Sequence, residues 1–313
     1  MLSWYREIST GTRWVLWLWA GVLVLVCWEQ SHWWRVRQDY LFGFLALPFA
    51  WFVLGERWDK IQGVLKGSAE GLSGADVGKS RLLDTLAWGV FVGGLCAVAL
   101  GALIRWAQGH SQPASLLFSL AFPCIVFSSV WLFGEGQEGG HLSKRGRLDL
   151  IQLLAFPALV WLLSTPILSF LEKQISLILL RKVMVVVFTV FEVLGLFVEQ
   201  RGNTLVLPNG VVGVADACSG IRSLMACIFA GSFLGAVYLA QLWKKGLFVL
   251  FACVFAFVFN IGRSLFLTFW AYNWGADSIK GTVHDVTGFA VLGLTGLCLF
   301  LLVPLVEGRW IRG

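Results

Sequence analysis

Charged residues are scarce in this chain of 313 residues, because Asp, Glu, Lys and Arg together make up only 13% of it. Hydrophobic residues make up 58%, and the polar segments between the apolar runs are short. This composition excludes a sizeable water-soluble core, although the length alone would suit one or two soluble domains. Apolar runs of about 15 to 25 residues recur from end to end, long enough for helices that cross a bilayer. We therefore expect an integral membrane protein.

Metal-binding and disulfide patterns are also missing from the cysteines, which are Cys27, Cys96, Cys124, Cys218, Cys227, Cys253 and Cys298. Six of the seven lie inside apolar runs, where a thiol is usually a small core hydrophobe. Cys218 differs because it lies where an apolar run begins. We expect no metal and no cofactor. The net charge of +6 does not indicate nucleic-acid binding, since Lys and Arg are dispersed among the loops.

The predicted fold is an all-α polytopic membrane protein with about eight transmembrane helices, an interfacial amphipathic helix and a short outer β-hairpin. The chain contains no internal repeat. The predicted spans, with ends uncertain by a few residues, are 14–29, 39–55, 85–105, 115–134, 149–170, 218–242, 246–270 and 284–306.

The segment 171–199 has two interpretations. The stretch from Val183 to Val198 is apolar enough to form a further span. However, steps of 7 and 11 residues place five polar side chains on nearly one helical stripe. They are Gln174, Arg181, Thr189, Glu192 and Glu199. A helix lying in the membrane interface fits this stripe better. Two short apolar runs follow it, and Asn209-Gly210 between them predicts the tight turn of a β-hairpin.

The distribution of Lys and Arg predicts the orientation. With the N-terminus inside, the inner segments hold fourteen Lys and Arg in 66 residues and the outer segments seven in 78. A ninth span would break this asymmetry. We therefore expect a protein of the cell inner (cytoplasmic) membrane, with N-terminal helices over 1–148, a catalytic core over 149–306 and a cytoplasmic tail over 307–313.

Cys218 is a candidate nucleophile because it opens an apolar run. A thiol near a helix start faces backbone N–H groups and the positive end of the helix dipole, which favour the thiolate. Arg222, four residues later, would add positive charge on the same helix face. Asp216 could cap that helix, position a cation or do neither, and Ser219 follows the thiol directly. The alternative for Cys218 is a buried small thiol.

Arg263 is a candidate catalytic cation because it lies about two turns inside the next apolar run. A guanidinium there could snorkel to the interface, but Asn260 shares its face and Gly262 would allow another helix to approach closely. His284 opens the last span, with Gly288 one turn later clearing space above the helix. Asp285 points about 100° away from His284 on a helix and is not assumed to be its partner.

All three candidates approach the outer end of successive spans, and together they resemble the exosortase/archaeosortase family. The motifs that carry the resemblance are ACSGIRS at 217–223, NIGR at 260–263 and HDVTG at 284–288. The segments RGN at 201–203, LPNG at 207–210 and VA at 214–215 are also similar. YLFG at 40–43 resembles the family's early Tyr-Ser-His-Gly segment but has Leu41-Phe42 in place of Ser-His.

The resemblance implies a cysteine transpeptidase-like sorting enzyme whose active site faces outward. It makes Cys218 the nucleophile, Arg263 the catalytic cation and His284 the acid–base. Substrates would be exported proteins ending in a short motif such as Pro-Glu-Pro, a hydrophobic span and basic residues. Membrane lipid is an expected partner, and the acceptor would be water, a lipid or a glycan. Two alternatives are a transporter with Asn260, Arg263 and His284 along a polar path, and a non-catalytic membrane scaffold.

Overall fold

The computed structural model describes residues 9–66, 81–136, 140–202, 204–213 and 220–307. The chain forms two compact units, Met1–Ile167 and Leu168–Gly313. The predicted catalytic core, by contrast, begins at residue 149, and that functional boundary stays a prediction.

The first unit is mainly helical in its described residues. Its helices are α1 (Thr10–Val36), α2 (Ala46–Glu56), α3 (Trp58–Lys66), α4 (Arg81–Gln108), α5 (Gln112–Phe133) and α6 (Lys144–Leu163), and a 3₁₀ helix (Gln38–Leu45) leads into α2. Small residues let α4 approach α5, because a Cβ on Gly94 would lie 2.8 Å from Ile125 Cγ1 and one on Gly101 would lie 3.2 Å from Phe118.

The YLFG segment has a structural role in this unit. The Tyr40 hydroxyl accepts a hydrogen bond of 2.9 Å from the backbone N–H of Ile167. A Cβ on Gly43 would lie only 2.1 Å from the Trp34 indole nitrogen, so only glycine fits beneath that ring. Tyr40 and Gly43 therefore hold the 3₁₀ helix against α1 and against the segment that follows α6.

A buried polar network also lies in the first unit, and the sequence patterns did not indicate it. Glu29 is 0% exposed and receives Ser115 Oγ at 3.1 Å, Arg105 Nε at 3.3 Å and His110 Nδ1 at 3.2 Å. The neighbouring Gln30, also 0% exposed, donates to Ser119, Thr165 and the carbonyl of Trp161. Because an unpaired carboxylate is costly in an apolar interior, these partners allow Glu29 to be buried.

The second unit consists of α7 (Ser169–Val193), α8 (Ile221–Tyr238), α9 (Leu242–Trp274) and α10 (Thr282–Glu307), with a 3₁₀ helix (Ala276–Ile279) before α10. Between α7 and α8 lie β1 (Glu199–Arg201), β2 (Thr204–Leu207) and β3 (Gly210–Gly213), which form an antiparallel sheet. The predicted hairpin is confirmed. Its two-residue turn is Pro208-Asn209, one residue earlier than expected, because Leu207 pairs with Gly210.

The all-α polytopic fold is confirmed, and the number of candidate spans is the main difference. Nine stretches of the described residues are long and apolar enough to cross a membrane, where the sequence predicts eight. The additional one is α7. The predicted polar stripe of α7 is exposed, from Gln174 to Glu192, while Leu180, Val183 and Val187 are buried on the opposite face.

α7 runs alongside α9 and in the same direction. Leu179 shares a small pocket with Ala256 and Asn260, and the Phe191 ring lies 6.1 Å from the ring of Tyr272. The sheet packs onto the same cluster through Leu205, Leu207 and Val212. These contacts thus align α7 lengthwise with α9, which is a candidate span. The interfacial position of α7, and the eight-span topology that depends on it, stay predictions.

Candidate active site

Arg263 bonds to the first two turns of α10. Its Nη2 donates to the carbonyl oxygen of His284 at 3.1 Å, and its Nε donates to Thr287 Oγ1 at 3.3 Å. A Cβ on Gly288 would lie 3.7 Å from Nη2, which is ordinary contact. The space above Gly288 is therefore occupied by the guanidinium. These contacts bring two of the three predicted catalytic residues, Arg263 and His284, together.

His284 has a carboxylate neighbour that the helical angle did not suggest. Its Nδ1 lies 3.3 Å from Asp285 Oδ1. The imidazole is about one quarter exposed and the Asp285 side chain about two thirds exposed. A carboxylate at Nδ1 orients an imidazole in catalytic arrangements of this kind. The expectation that Asp285 points away from His284 is thus corrected, because side-chain rotation bridges the helical angle.

Asn260 contacts the turn that opens α8. It is 2% exposed, and a Cβ on Gly220 would lie 2.5 Å from Asn260 Nδ2. Gly220 has φ +68°, in the left-handed region where glycine is favoured. Gly220 follows Cys218 by two residues in the chain, and its contact on α9 lies three residues before Arg263.

Cys218, Asp216 and Ser219 lie outside the described residues, so their roles stay predictions. α8 begins at Ile221, three residues after Cys218. Gly220, at a left-handed φ, is the N-cap of α8. The predicted relation of Cys218 and Arg222 on one helix face involves a residue outside the described ranges and stays a prediction. Arg222 itself is described and its side chain is exposed.

Gly262 does not have the predicted packing role. A Cβ at this position meets no atom within 4 Å. The close approach instead occurs at Gly220, against Asn260, and Arg263 makes polar contacts with α10. Thr287 is the residue near the site that sequence reasoning missed. Its place in the HDVTG motif, one turn after Val283, was the available signal.

Two exposed ion pairs lie on the same unit, outside its α-helices. Arg201 bonds to Glu199 and holds the pKa of that carboxyl below its usual value, and Lys280 does the same to the pKa of Asp277. Within the described ranges, no three His, Cys, Asp or Glu side chains converge as a metal-ligating group.

A family model described as transmembrane exosortase matches residues 33–301, well over half of the chain. No curated protein and no solved structure gives a significant match. The matched range includes all three candidate catalytic residues. Membership of this family implies a multi-pass membrane enzyme of the peptidase or transpeptidase type, which acts on exported proteins that carry sorting signals. By this match the chain belongs to the transmembrane exosortase family.

Proposed function

We propose that the protein is a cysteine endopeptidase or transpeptidase that removes a C-terminal sorting signal from exported proteins. The signal consists of a short motif, a hydrophobic span and a basic tail. The enzyme acts at the outer face of the cytoplasmic membrane. This activity is the one implied by the resemblance to archaeosortases and to exosortases of the PEP-CTERM type. Cleaved proteins pass to water or to a lipid or glycan acceptor.

One observation supports this proposal above the others: α9 contacts both the turn that opens α8 and the first turn of α10. Asn260 lies against Gly220, beside the segment of Cys218, and Arg263 bonds to the first turn of α10 at His284. A nucleophile, a cation and an acid–base at such positions are the groups that acyl transfer needs. Family membership favours this enzyme over the alternative transporter path through Asn260, Arg263 and His284.

In the proposed mechanism, the thiolate of Cys218 attacks a substrate carbonyl carbon, and a carbon–sulfur bond forms. Arg263 stabilises the negative charge that develops on the carbonyl oxygen. His284 gives a proton to the leaving amine as the carbon–nitrogen bond breaks, which leaves a thioester. Water or an acceptor hydroxyl or amine then loses a proton to His284 and attacks the thioester, and the thiolate leaves.

Cys218→Ala and Cys218→Ser test the nucleophile. Each variant is expressed with a tagged exported protein that ends in a sorting signal, and the size of that protein is followed on a gel. We expect unprocessed substrate with both variants, because neither side chain supplies a thiolate. Cys298→Ala on α10 is the matched control and should process normally. Normal processing by a folded Cys218→Ala variant would refute the nucleophile.

A further inference from the structure

We propose that the first unit binds one acyl chain of a membrane phospholipid in a cavity between its helices, independently of the proposed peptidase activity. The cavity has a volume of about 400 Å³, within the range of roughly 300 to 1,000 Å³ that small-molecule sites occupy. It lies among α1, α2, α3, α5 and α6. All of these except α3 lie within candidate membrane spans.

The wall of the cavity is apolar along its length. Leu16, Ala50, Val126 and Leu154 are among its lining residues. The Trp19 indole N–H donates to Ser129 Oγ at 2.9 Å, so these two polar groups within the wall satisfy each other. An apolar cavity does not attract water, and its lining loses packing contacts when it is empty. Within a bilayer, a hydrocarbon chain is the neighbouring molecule that can fill it.

The dimensions of the cavity fit one chain. Its lining runs from Thr12 to Leu23 on α1, from Phe122 to Phe133 on α5 and from Leu150 to Trp161 on α6. Each stretch is about 16 Å long at a rise of 1.5 Å per residue, close to half of a hydrocarbon core of about 30 Å. A volume of about 400 Å³ over this length gives a cross-section of roughly 25 Å². A space this narrow suits one hydrocarbon chain that lies along the helices.

The two ends of the cavity differ in polarity. At one end, the Ser9 hydroxyl donates to the carboxylate of Glu135, which lies just after α5. Ser9 also bonds to Thr12, which lies in the first turn of α1. At the other end, the Trp161 indole N–H is occupied by the carbonyl of Pro157. An amphiphile is polar at one end only, so the headgroup belongs at Ser9 and Glu135. The Glu135 carboxylate disfavours a purely anionic headgroup there.

The test uses the full chain in zwitterionic phospholipid vesicles that contain a phospholipid with a photoreactive diazirine on its acyl chain. The protein is extracted into detergent, loosely bound lipid is exchanged away, and the sample is irradiated. We expect labelled peptides from 122–133 and 150–161. Ala50→Phe or Ala158→Phe should lower the labelling at least about fivefold, because interiors are close-packed and the added ring takes the chain's place.

Ala99→Phe is the matched control, because Ala99 is exposed on α4 away from the cavity lining. It should be labelled like the parent. Two variants on different helices keep the test usable when one fails to fold. As a second measurement, delipidated parent should lose heat stability and regain it with zwitterionic lipid, whereas Ala158→Phe should respond to neither step. Unlabelled parent protein, or equal labelling of the parent and both filled variants, would overturn the proposal.

Discussion

Replacing Gly220 by alanine tests how the segment of Cys218 is held. The backbone of Gly220 has φ +68°, and an L residue in this region costs about 1 to 2 kcal/mol. The new Cβ would also lie 2.5 Å from Asn260 Nδ2, closer than side-chain atoms normally approach. Overpacking of this kind typically costs about 1 to 3 kcal/mol. We therefore expect Gly220→Ala to lower the free energy of unfolding by about 2 to 5 kcal/mol.

The two parts of this cost can be separated by a double-mutant cycle. Asn260→Ala removes the atoms that the new Cβ meets, so Gly220→Ala in that background should cost only the backbone part, about 1 to 2 kcal/mol. Unfolding of the purified variants in detergent measures each free energy. Gly262→Ala is the matched control, because its Cβ meets no atom within 4 Å and alanine favours the helix.

A Gly220→Ala variant as stable as the parent would refute the close contact with Asn260. An equal cost with and without Asn260 would assign the whole effect to the backbone. Processing of substrate by the same variants adds a functional measurement. If the contact places Cys218, the rate per folded enzyme should fall with Gly220→Ala.

Arg263→Lys should reduce processing per folded enzyme by roughly 100- to 1,000-fold, because one ammonium cannot copy a guanidinium that bonds to two acceptors. The effect of Arg222→Lys should be milder. Near-full activity of Arg263→Lys would show that any positive charge suffices at this position. Thr287→Val should slow processing by removing the acceptor of Arg263 Nε while Thr287→Ser restores it, and equal rates for both would contradict a positioning role. Asn203→Cys should react with a membrane-impermeant thiol reagent on intact cells and Arg145→Cys should not, with native thiols as background. The opposite pattern would reverse the topology.

Much of the fold follows from hydrophobic length alone, because a helix that crosses a bilayer needs about 20 apolar residues. The eight predicted spans all coincide with helices, and the turn before Gly210 has the residues that a tight turn needs. α7 was harder to interpret, since its exposed stripe and its buried apolar face are compatible with both a surface helix and a packed one.

The candidate site could be predicted in part. Arg263 and His284 were found because charged groups within apolar runs are costly. The position of Asp285 depends on a side-chain rotamer, which helical periodicity does not determine. Thr287 resembles any threonine on an apolar helix. Glu29 was missed because its partners come from residues about 80 positions later in the chain, around Arg105 and Ser115.

In the proposed function, α9 determines how far from the membrane a peptide is cut. Its 33 residues extend about 50 Å, some 20 Å more than the hydrocarbon core. With Lys245 at one boundary, Arg263 lies about 27 Å along the helix, near the other, and Trp274 stands about 16 Å beyond it. A peptide bond that reacts beside Arg263 is therefore at the membrane surface. For the proposed substrates, this geometry requires the cleaved bond to lie within the first few residues outside their own membrane span.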